Sequence, residues 1–337
     1  MASLRERLGL AVDQRAPWIE EPHTTAWRAF NGFLEGWPAL VVDVYATSVV
    51  LFDYAGAGTG DRAAVDEAID VLRARLPWLR IGYWKIRSSR ETHARAGTIL
   101  FGADLPPDEW IVENGARYAF RPLLHQDAGL YLDTRELRRW LRAEMQDARV
   151  LNAFAYTGSL GLAARVAPAA SVTNLDRNAR FLRVARESYR LNGLQTPPNE
   201  FVCEDVLTAT ARWRRTERLF DCVIVDPPHV SSTAAGRIDV VGATRRLIDK
   251  CKPLVADGGR LVVVNNALYV SGRALMDTLD GVCADGFAAV EQRIDVPMDC
   301  TGALATRVGS LPADPAPFNH ATKIAVLRIR RRDRRRE

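Results

Sequence analysis

Several short stretches place glycine, proline or acidic residues directly after apolar runs. The first such stretch reads Asn152-Ala-Phe154-Ala-Tyr156-Thr157-Gly158-Ser159. It has fewer glycines than the G-x-G-x-x-G pattern, which suits a ligand without a pyrophosphate, and backbone N–H groups at a helix start can still receive a carboxylate. A tight strand-to-helix turn would use the same residues, so this stretch alone does not define a ligand.

Two carboxylates follow at the ends of the next apolar runs. Asp176 lies 22 residues after Phe154, a distance that suits hydrogen bonds to ribose hydroxyls, and we include its neighbour Arg177 in the predicted binding set. Asp205 can accept a hydrogen bond from an adenine amine while Val206 packs on the ring. The alternative for Asp176 is an N-cap of the following helix. Two acidic residues at consecutive strand ends, after a glycine turn, favour a nucleoside site.

The next two candidate stretches carry groups that suit a flat base. Asp226-Pro227-Pro228 follows the fourth apolar run, and its two prolines hold the backbone extended and remove two N–H donors. We interpret it as a rigid edge against which a nucleobase docks, with a plain turn as the alternative. Asn265 and Asn266 follow the fifth run, and their amides can read a base edge or, alternatively, cap a helix.

The elements that must position these residues alternate between strands and helices. Strands are predicted at 149–154, 171–176, 200–203, 220–225 and 260–264, which indicates a parallel sheet covered by helices on both faces. The end of the chain departs from this alternation, because 287–296 and 323–330 both look like strands without a helix between them. The pattern predicts a Rossmann-like class I methyltransferase fold, with a mostly parallel seven-stranded sheet and an antiparallel last strand.

The preceding part of the chain predicts a second, smaller domain. We expect a small N-terminal α/β domain at 1–108, a β-hairpin junction at 109–122, a methyltransferase domain at 123–330 and a basic tail at 331–337. The hairpin rests on Asn114-Gly115, a pair that supplies the positive φ angles of a type I′ turn.

Composition bounds the environment and the partners. The chain has 337 residues, a net charge of +5 and no apolar run near the length that spans a bilayer, so we expect a cytoplasmic protein without membrane contact. Five scattered cysteines form no zinc pattern, and no metal is expected. The positive charge suits a polyanion, although arginine outnumbers lysine so strongly that genome composition explains part of it. The oligomeric state stays open.

Together these motifs resemble a family, the bacterial 23S (large-subunit) rRNA methyltransferases that make 5-methylcytosine or 7-methylguanine. The resemblance includes the segment 125–135, with Gln126, Tyr131 and Asp133, and the stretch 27–43, so that it covers most of the chain from about residue 25. It implies S-adenosyl-L-methionine as cofactor, an RNA base as acceptor, and cofactor contacts from Gln126, Tyr131 and Asp133.

The residues after the fifth strand bear on which base is methylated. Cytosine C5 needs a thiolate, because that carbon becomes nucleophilic only after an adduct forms at C6. The family places that cysteine where this chain has Asn265-Asn266, which favours guanine N7 and leaves cytosine C5 as the alternative. Cys300 is interpreted as a structural thiol. The predicted RNA-contacting residues are His229, Tyr269, Phe318 and the basic cluster around Trp213.

Two alternatives come from other functional classes. A nicotinamide-dependent oxidoreductase is disfavoured because the pyrophosphate glycines are missing and antiparallel strands close the sheet. A non-catalytic RNA-binding module is disfavoured because both carboxylates and Asp226-Pro-Pro are present.

Overall fold

A computed structural model describes residues 2–228 and 240–331. The chain divides into two compact units, Met1–Thr134 with Pro297–Leu311, and Arg135–Val296 with Pro312–Glu337. The domain limits expected from the sequence stay a prediction, and most of the basic tail lies outside the described residues. None of the helices in the described ranges is long and apolar enough to cross a membrane.

The first unit is built on a five-stranded sheet in the order β1-β2-β3-β4-β5, in which β3 and β4 are parallel and the other neighbours antiparallel. Its elements are α1 (Leu4–Gln14), β1 (Ala26–Asn31), α2 (Gly32–Glu35), β2 (Leu40–Tyr45), β3 (Ser48–Asp53), α3 (Arg62–Arg75), β4 (Ile81–Ile86), α4 (Thr92–Ala96) and β5 (Thr98–Phe101). Short 3₁₀ turns lie at Ala16–Trp18, Gly56–Gly58 and Leu132–Thr134, and a short helix at Met298–Thr301. Helices α1 and α3 pack their apolar faces on this sheet, forming one core.

The predicted hairpin is confirmed as β6 (Trp110–Glu113) and β7 (Ala116–Ala119). Its turn residues Asn114 and Gly115 have φ angles of +50° and +76°. These are the left-handed values that a type I′ turn needs and that Asn-Gly adopts at low cost.

The second unit alternates strands and helices, as the sequence pattern predicts. Its elements are α5 (Arg135–Glu144), β8 (Arg149–Ala153), α6 (Ser159–Val166), β9 (Ser171–Asp176), α7 (Ala179–Leu191), β10 (Phe201–Cys203), α8 (Val206–Arg215), β11 (Phe220–Val225), α9 (Val240–Cys251), β12 (Val255–Asn265), α10 (Gly272–Cys283), β13 (Ala288–Ile294) and β14 (Lys323–Ile329), with 3₁₀ turns at Pro198–Glu200 and Lys252–Leu254. The strand order is β10-β9-β8-β11-β12-β14-β13. The first five strands in that order are mutually parallel, and β14 is antiparallel to both of its neighbours.

Separate apolar cores cover the two faces of this sheet. Helices α5 and α6 pack on one face, and α8, α9 and α10 on the other. The strand order reverses between β8 and β11, which is where ligands bind in doubly wound sheets. The predicted Rossmann-like α/β fold is confirmed, including the antiparallel last strand.

Candidate cofactor and acceptor site

The turn from β8 to α6 has an unusual backbone. Phe154, Tyr156 and Gly158 have φ angles of +59°, +49° and +75°. A left-handed conformation costs a bulky L-residue roughly 1–2 kcal/mol. Two such residues within three positions indicate a strained turn of the kind that is found at functional sites. Gly158 is the N-cap of α6 and offers no side-chain hydrogen bond, whereas α7, α8 and α10 each have a side-chain cap. The first N–H groups of α6, from Ser159 onward, therefore suit an anionic ligand.

Asp176 holds this turn in place. Its Oδ2 accepts a hydrogen bond from the Tyr156 N–H at 2.9 Å, and its Oδ1 accepts one from the Asn178 N–H at 2.8 Å. The cap of α7 is Asn178, so Asp176 is not the N-cap that the sequence left open. The Asp176 carbonyl accepts from the Glu204 N–H at 3.2 Å, which links the ends of β9 and β10 directly. Asp176 thus contacts Glu204, the residue before Asp205.

A buried polar network lies beneath the turn. The Asn152 amide donates to Asn174 Oδ1 at 3.0 Å, and the Asn174 amide donates to the Tyr189 hydroxyl at 2.9 Å. Asn152 is 1% exposed, and its Oδ1 has no hydrogen-bond partner in the described part of the chain. A Cβ on Gly161 would lie 2.1 Å from Asn174 Oδ1, so only glycine lets α6 approach this network. Asn152 is therefore part of a buried network against which the start of α6 packs.

Asp205 and Val206 start α8 at the end of β10. Asp205 is exposed and caps the helix, its Oδ1 accepting from the Thr208 N–H at 3.1 Å. Capping and ligand binding are compatible, because a carboxylate has a second acceptor oxygen. Val206 is buried in the core beneath. Arg177, after β9, has an exposed side chain.

The rigid edge follows β11, next to β8 in the sheet. Asp226 and Pro227 are half-buried, and Pro228 is exposed. Adjacent strands lie about 4.8 Å apart, so these residues are one strand position from the β8–α6 turn. The motif is therefore at the same sheet edge as the acidic pair.

The two asparagines after β12 differ in their surroundings. Asn265 is 5% exposed, its amide donates to Thr244 Oγ1 at 3.2 Å, and its Oδ1 accepts from the Ala267 N–H at 3.1 Å. Both polar ends of that side chain are thus used within the chain. Asn266 is half-buried. The cap of α10 is Ser271, so neither asparagine caps that helix.

Sequence reasoning missed Lys323, which lies opposite Asn265 in the β12–β14 ladder. Its side chain is fully buried, and its ammonium donates to the carbonyls of Ala267, at 3.1 Å, and Ala321. Burial lowers the pKa of Lys323 to about 8. One signal was present, because the chain has only four lysines among 46 basic residues and two of these, Lys85 and Lys323, are fully buried.

The segment with Gln126, Tyr131 and Asp133 belongs to the first unit, where the end of β4 holds it. The Lys85 ammonium donates to the carbonyls of Ala96, Pro122 and His125, the last at 2.8 Å. Arg87, two residues on, donates to the Gln126 carbonyl at 2.6 Å. Burial lowers the pKa of Lys85 to about 7.

A charged cluster also fixes the segment 125–135 in place. Asp127 pairs with Arg87 at 2.8 Å, and Asp127 Oδ2 accepts from the Tyr131 hydroxyl at 2.7 Å. Burial by itself would raise the pKa of Asp127, but hydrogen bonds from His125 and Tyr131 and the Arg87 charge lower it to about 2. The Tyr131 hydroxyl is thus engaged, whereas Asp133 is half-buried beyond the cluster.

The cysteines bear on the choice between guanine and cytosine. Burial raises the pKa of Cys222 and of Cys251 to about 12, and Cys300 is fully buried in the first unit. Cys203 is exposed at the end of β10, although its place beside an apolar run predicts a buried, inert thiol. Strand β10 is three positions from β11, about 14 Å, so Cys203 is far from the Asp226 edge.

Several residues predicted to contact RNA lie elsewhere than expected. Trp213 is 5% exposed and Phe318 6% exposed, and both pack in the core between the sheet and helices α8 to α10 because their large apolar rings are favoured there. Phe318 is therefore wrong as a surface residue, and in the basic cluster around Trp213 the ring is buried whereas Arg212, Arg214 and Arg215 are exposed. Tyr269 is 69% exposed and stays a candidate, while His229 lies outside the described residues. The described ranges contain no group of three His, Cys, Asp or Glu side chains suited to a metal ion.

A seven-stranded sheet of this order, with binding groups at the ends of its parallel strands, defines a class I methyltransferase fold. The model of the S-adenosylmethionine-dependent methyltransferase family matches residues 82–297, and the chain belongs to that family. The cofactor in the family's description is the one predicted from the sequence.

Individual proteins agree with this assignment. A ribosomal RNA large subunit methyltransferase of Deinococcus radiodurans is 30% identical over 277 residues, which are 79% of this chain and 66% of that protein. Ribosomal RNA large subunit methyltransferase I of Aeromonas salmonicida is 28% identical over 76% of this chain and 64% of its own length. The chain thus spans slightly less than two thirds of both. A Streptococcus mutans structure, described as a candidate SAM-dependent methyltransferase, superposes with a TM-score of 0.80 at 21% identity, covering 97% of this chain and 81% of that one.

Proposed function

We propose that this protein transfers the methyl group of S-adenosyl-L-methionine to a base of RNA, in particular guanine N7 of 23S rRNA. The observation that carries the proposal is the meeting, at one sheet edge, of an uncapped helix N-terminus, two carboxylates and the Asp226-Pro-Pro edge. The names of the relatives from Deinococcus and Aeromonas support an rRNA acceptor. A ribosomal substrate also implies the cytoplasmic location predicted from the sequence.

The residues at this edge fit the cofactor by their chemistry. The bound cofactor supplies a methyl group activated by a positively charged sulfur. The free N–H groups of α6 bind its carboxylate, Asp176 accepts from ribose hydroxyls with its remaining lone pairs, and the second oxygen of Asp205 accepts from the adenine amine. Gln126, Tyr131 and Asp133 stay predicted cofactor contacts.

Guanine N7 is favoured because its methylation requires no nucleophilic or basic side chain. N7 carries an in-plane lone pair, so the work of the protein is alignment and exclusion of water. Asp226 and the two prolines position the base, and Asn266 is better placed than Asn265 to read its edge because the Asn265 amide bonds Thr244. Cytosine C5 is the alternative. It is disfavoured because Asn265-Asn266 stand where that chemistry needs a cysteine, Cys222, Cys251 and Cys300 are buried, and Cys203 is distant from Asp226.

The test is mapping of 23S rRNA modifications by mass spectrometry in cells with and without the gene. The purified protein is then given RNA from the deletion strain and methyl-labelled cofactor. Loss and restoration of one 7-methylguanosine is the expected result, and a lost 5-methylcytidine would favour the alternative. Binding of NAD but not S-adenosylhomocysteine would point to an oxidoreductase. RNA binding without methyl transfer would leave a binding module.

A further inference from the structure

Among the described helices, the excess of positive charge is largest on two helices of the second unit. Helix α7 carries four arginines and one glutamate, and α8 carries three arginines and no acidic residue. Helix α5 has a smaller excess, with four arginines and two glutamates, and so does α9, with three basic residues and one aspartate. By contrast, α10 carries one arginine and two aspartates, and α3 has three of each sign. A genome-wide preference for arginine would spread charge over all helices. The concentration on α7 and α8 therefore needs a local explanation.

The arginines of these two helices also differ in their partners. Three exposed guanidiniums on other helices pair with carboxylates one turn away, in Arg62–Asp66, Arg139–Glu136 and Arg273–Asp277. Within the described residues, no ion pair forms at the following exposed side chains: Arg180, Arg183, Arg190, Arg214 and Arg215. Their charges are thus not neutralised within that part of the chain.

The unpaired arginines of α7 form one face. At 100° per residue, Arg180, Arg183 and Arg190 lie within about 80° of one another around the helix, and they span about 15 Å along its axis. The opposite side of α7 is buried through Leu182 and Tyr189. The face starts at the candidate site, because the Arg180 N–H donates to Asn178, two residues after Asp176.

Helices α7 and α8 follow β9 and β10, which form one edge of the seven-stranded sheet. A row of guanidinium groups without ion pairs can bind successive phosphates of a nucleic acid strand. Arginine binds phosphate through charge-assisted hydrogen bonds. We propose that the arginine face of α7 (Arg180, Arg183 and Arg190) binds the RNA backbone and directs the RNA strand toward the candidate cofactor site. This inference rests on the proposed RNA substrate.

The test measures RNA binding as a function of salt. The triple variant R180Q/R183Q/R190Q is compared with the wild-type protein, using a fluorescein-labelled single-stranded RNA and fluorescence anisotropy. Loss of three phosphate contacts should weaken binding about tenfold and reduce the slope of log K against log salt by about 2. Calorimetric titration with S-adenosylhomocysteine should give an unchanged affinity, because none of the three residues is assigned to the cofactor.

A matched control removes the same charge elsewhere. The variant R62Q/R139Q/R273Q loses three exposed arginines that are ion-paired on their own helices. It should keep the wild-type salt slope. Equal slopes for the wild-type protein and the α7 variant, or equal losses in both variants, would overturn the assignment of this face. Failure of the wild-type protein to bind or methylate any RNA would instead reject the proposed function, so the two failures are distinguishable.

Discussion

Asp176 and Asp205, the acidic residues at the ends of β9 and β10, should respond differently to replacement by asparagine. The comparison distinguishes a residue that stabilises the site from one that only contacts the ligand. In Asp176→Asn, one of two backbone N–H groups loses its acceptor, because Asp176 uses both oxygens on Tyr156 and Asn178. A hydrogen bond to a charged acceptor contributes about 2 kcal/mol. The free energy of unfolding should fall by about that amount, and affinity for S-adenosylhomocysteine should fall with it.

Asp205→Asn should behave differently. Asparagine caps a helix as well as aspartate does, so the bond to the Thr208 N–H survives and stability should change by less than about 0.5 kcal/mol. The variant loses the second acceptor oxygen, which is the one assigned to the adenine amine. Affinity for S-adenosylhomocysteine should therefore drop about tenfold, equivalent to one hydrogen bond of about 1.4 kcal/mol.

Urea unfolding and calorimetric titration on both variants provide the assay. The expected pattern is loss of stability and affinity for Asp176→Asn, and loss of affinity alone for Asp205→Asn. If Asp205→Asn binds S-adenosylhomocysteine like the wild-type protein, Asp205 is only a helix cap. If Asp176→Asn unfolds like the wild-type protein, the turn does not depend on that carboxylate.

Three further changes test the surrounding structure. Gly161→Ala should cost about 2 kcal/mol in urea unfolding, since its Cβ would lie 2.1 Å from Asn174 Oδ1 in the buried network; a neutral result would contradict that close approach. Because burial lowers the pKa of Lys85 from 10.5 to about 7, the folded chain binds fewer protons than the unfolded one between those values. Stability should rise with pH there through this group, and Lys85→Met should lose that slope in unfolding measured from pH 7 upward. Asn265→Ala should lower the free energy of unfolding by about 2 kcal/mol, because both polar ends of Asn265 are hydrogen-bonded. Asn266→Ala should lower the rate of methyl transfer with little effect on stability. The reverse pattern would mean that Asn265 contacts the base and Asn266 is structural.

Several features depended on local pattern and were therefore accessible to prediction. The strands of the second unit and the Asn114-Gly115 hairpin follow from alternating apolar runs and from a turn that few other pairs allow. The predicted ends of elements were less accurate. Strand β12 begins at Val255 rather than at residue 260, because pairing with β11 extends it.

Other features depended on contacts between distant residues. The expected exposure of Phe318 was wrong, and the Trp213 ring is buried within its exposed basic cluster, because a large ring beside prolines or arginines looks the same in sequence whether it is buried or exposed. The burial of Lys323 could not be predicted, since it depends on pairing with β12 and on the Ala267 carbonyl, which lies 56 residues away in the chain.

The sequence by itself determined the fold class, the family and the positions of the binding groups at strand ends, because apolar periodicity and turn chemistry are properties of neighbouring residues. Only the tertiary structure decided what those groups bind within the chain. It showed that Asp176 holds the Tyr156 turn, that the Asn265 amide donates to Thr244, and that α6 lacks the side-chain cap that α7, α8 and α10 each have. Such roles arise when parallel strands bring together residues that are far apart in sequence, and no local pattern records that meeting.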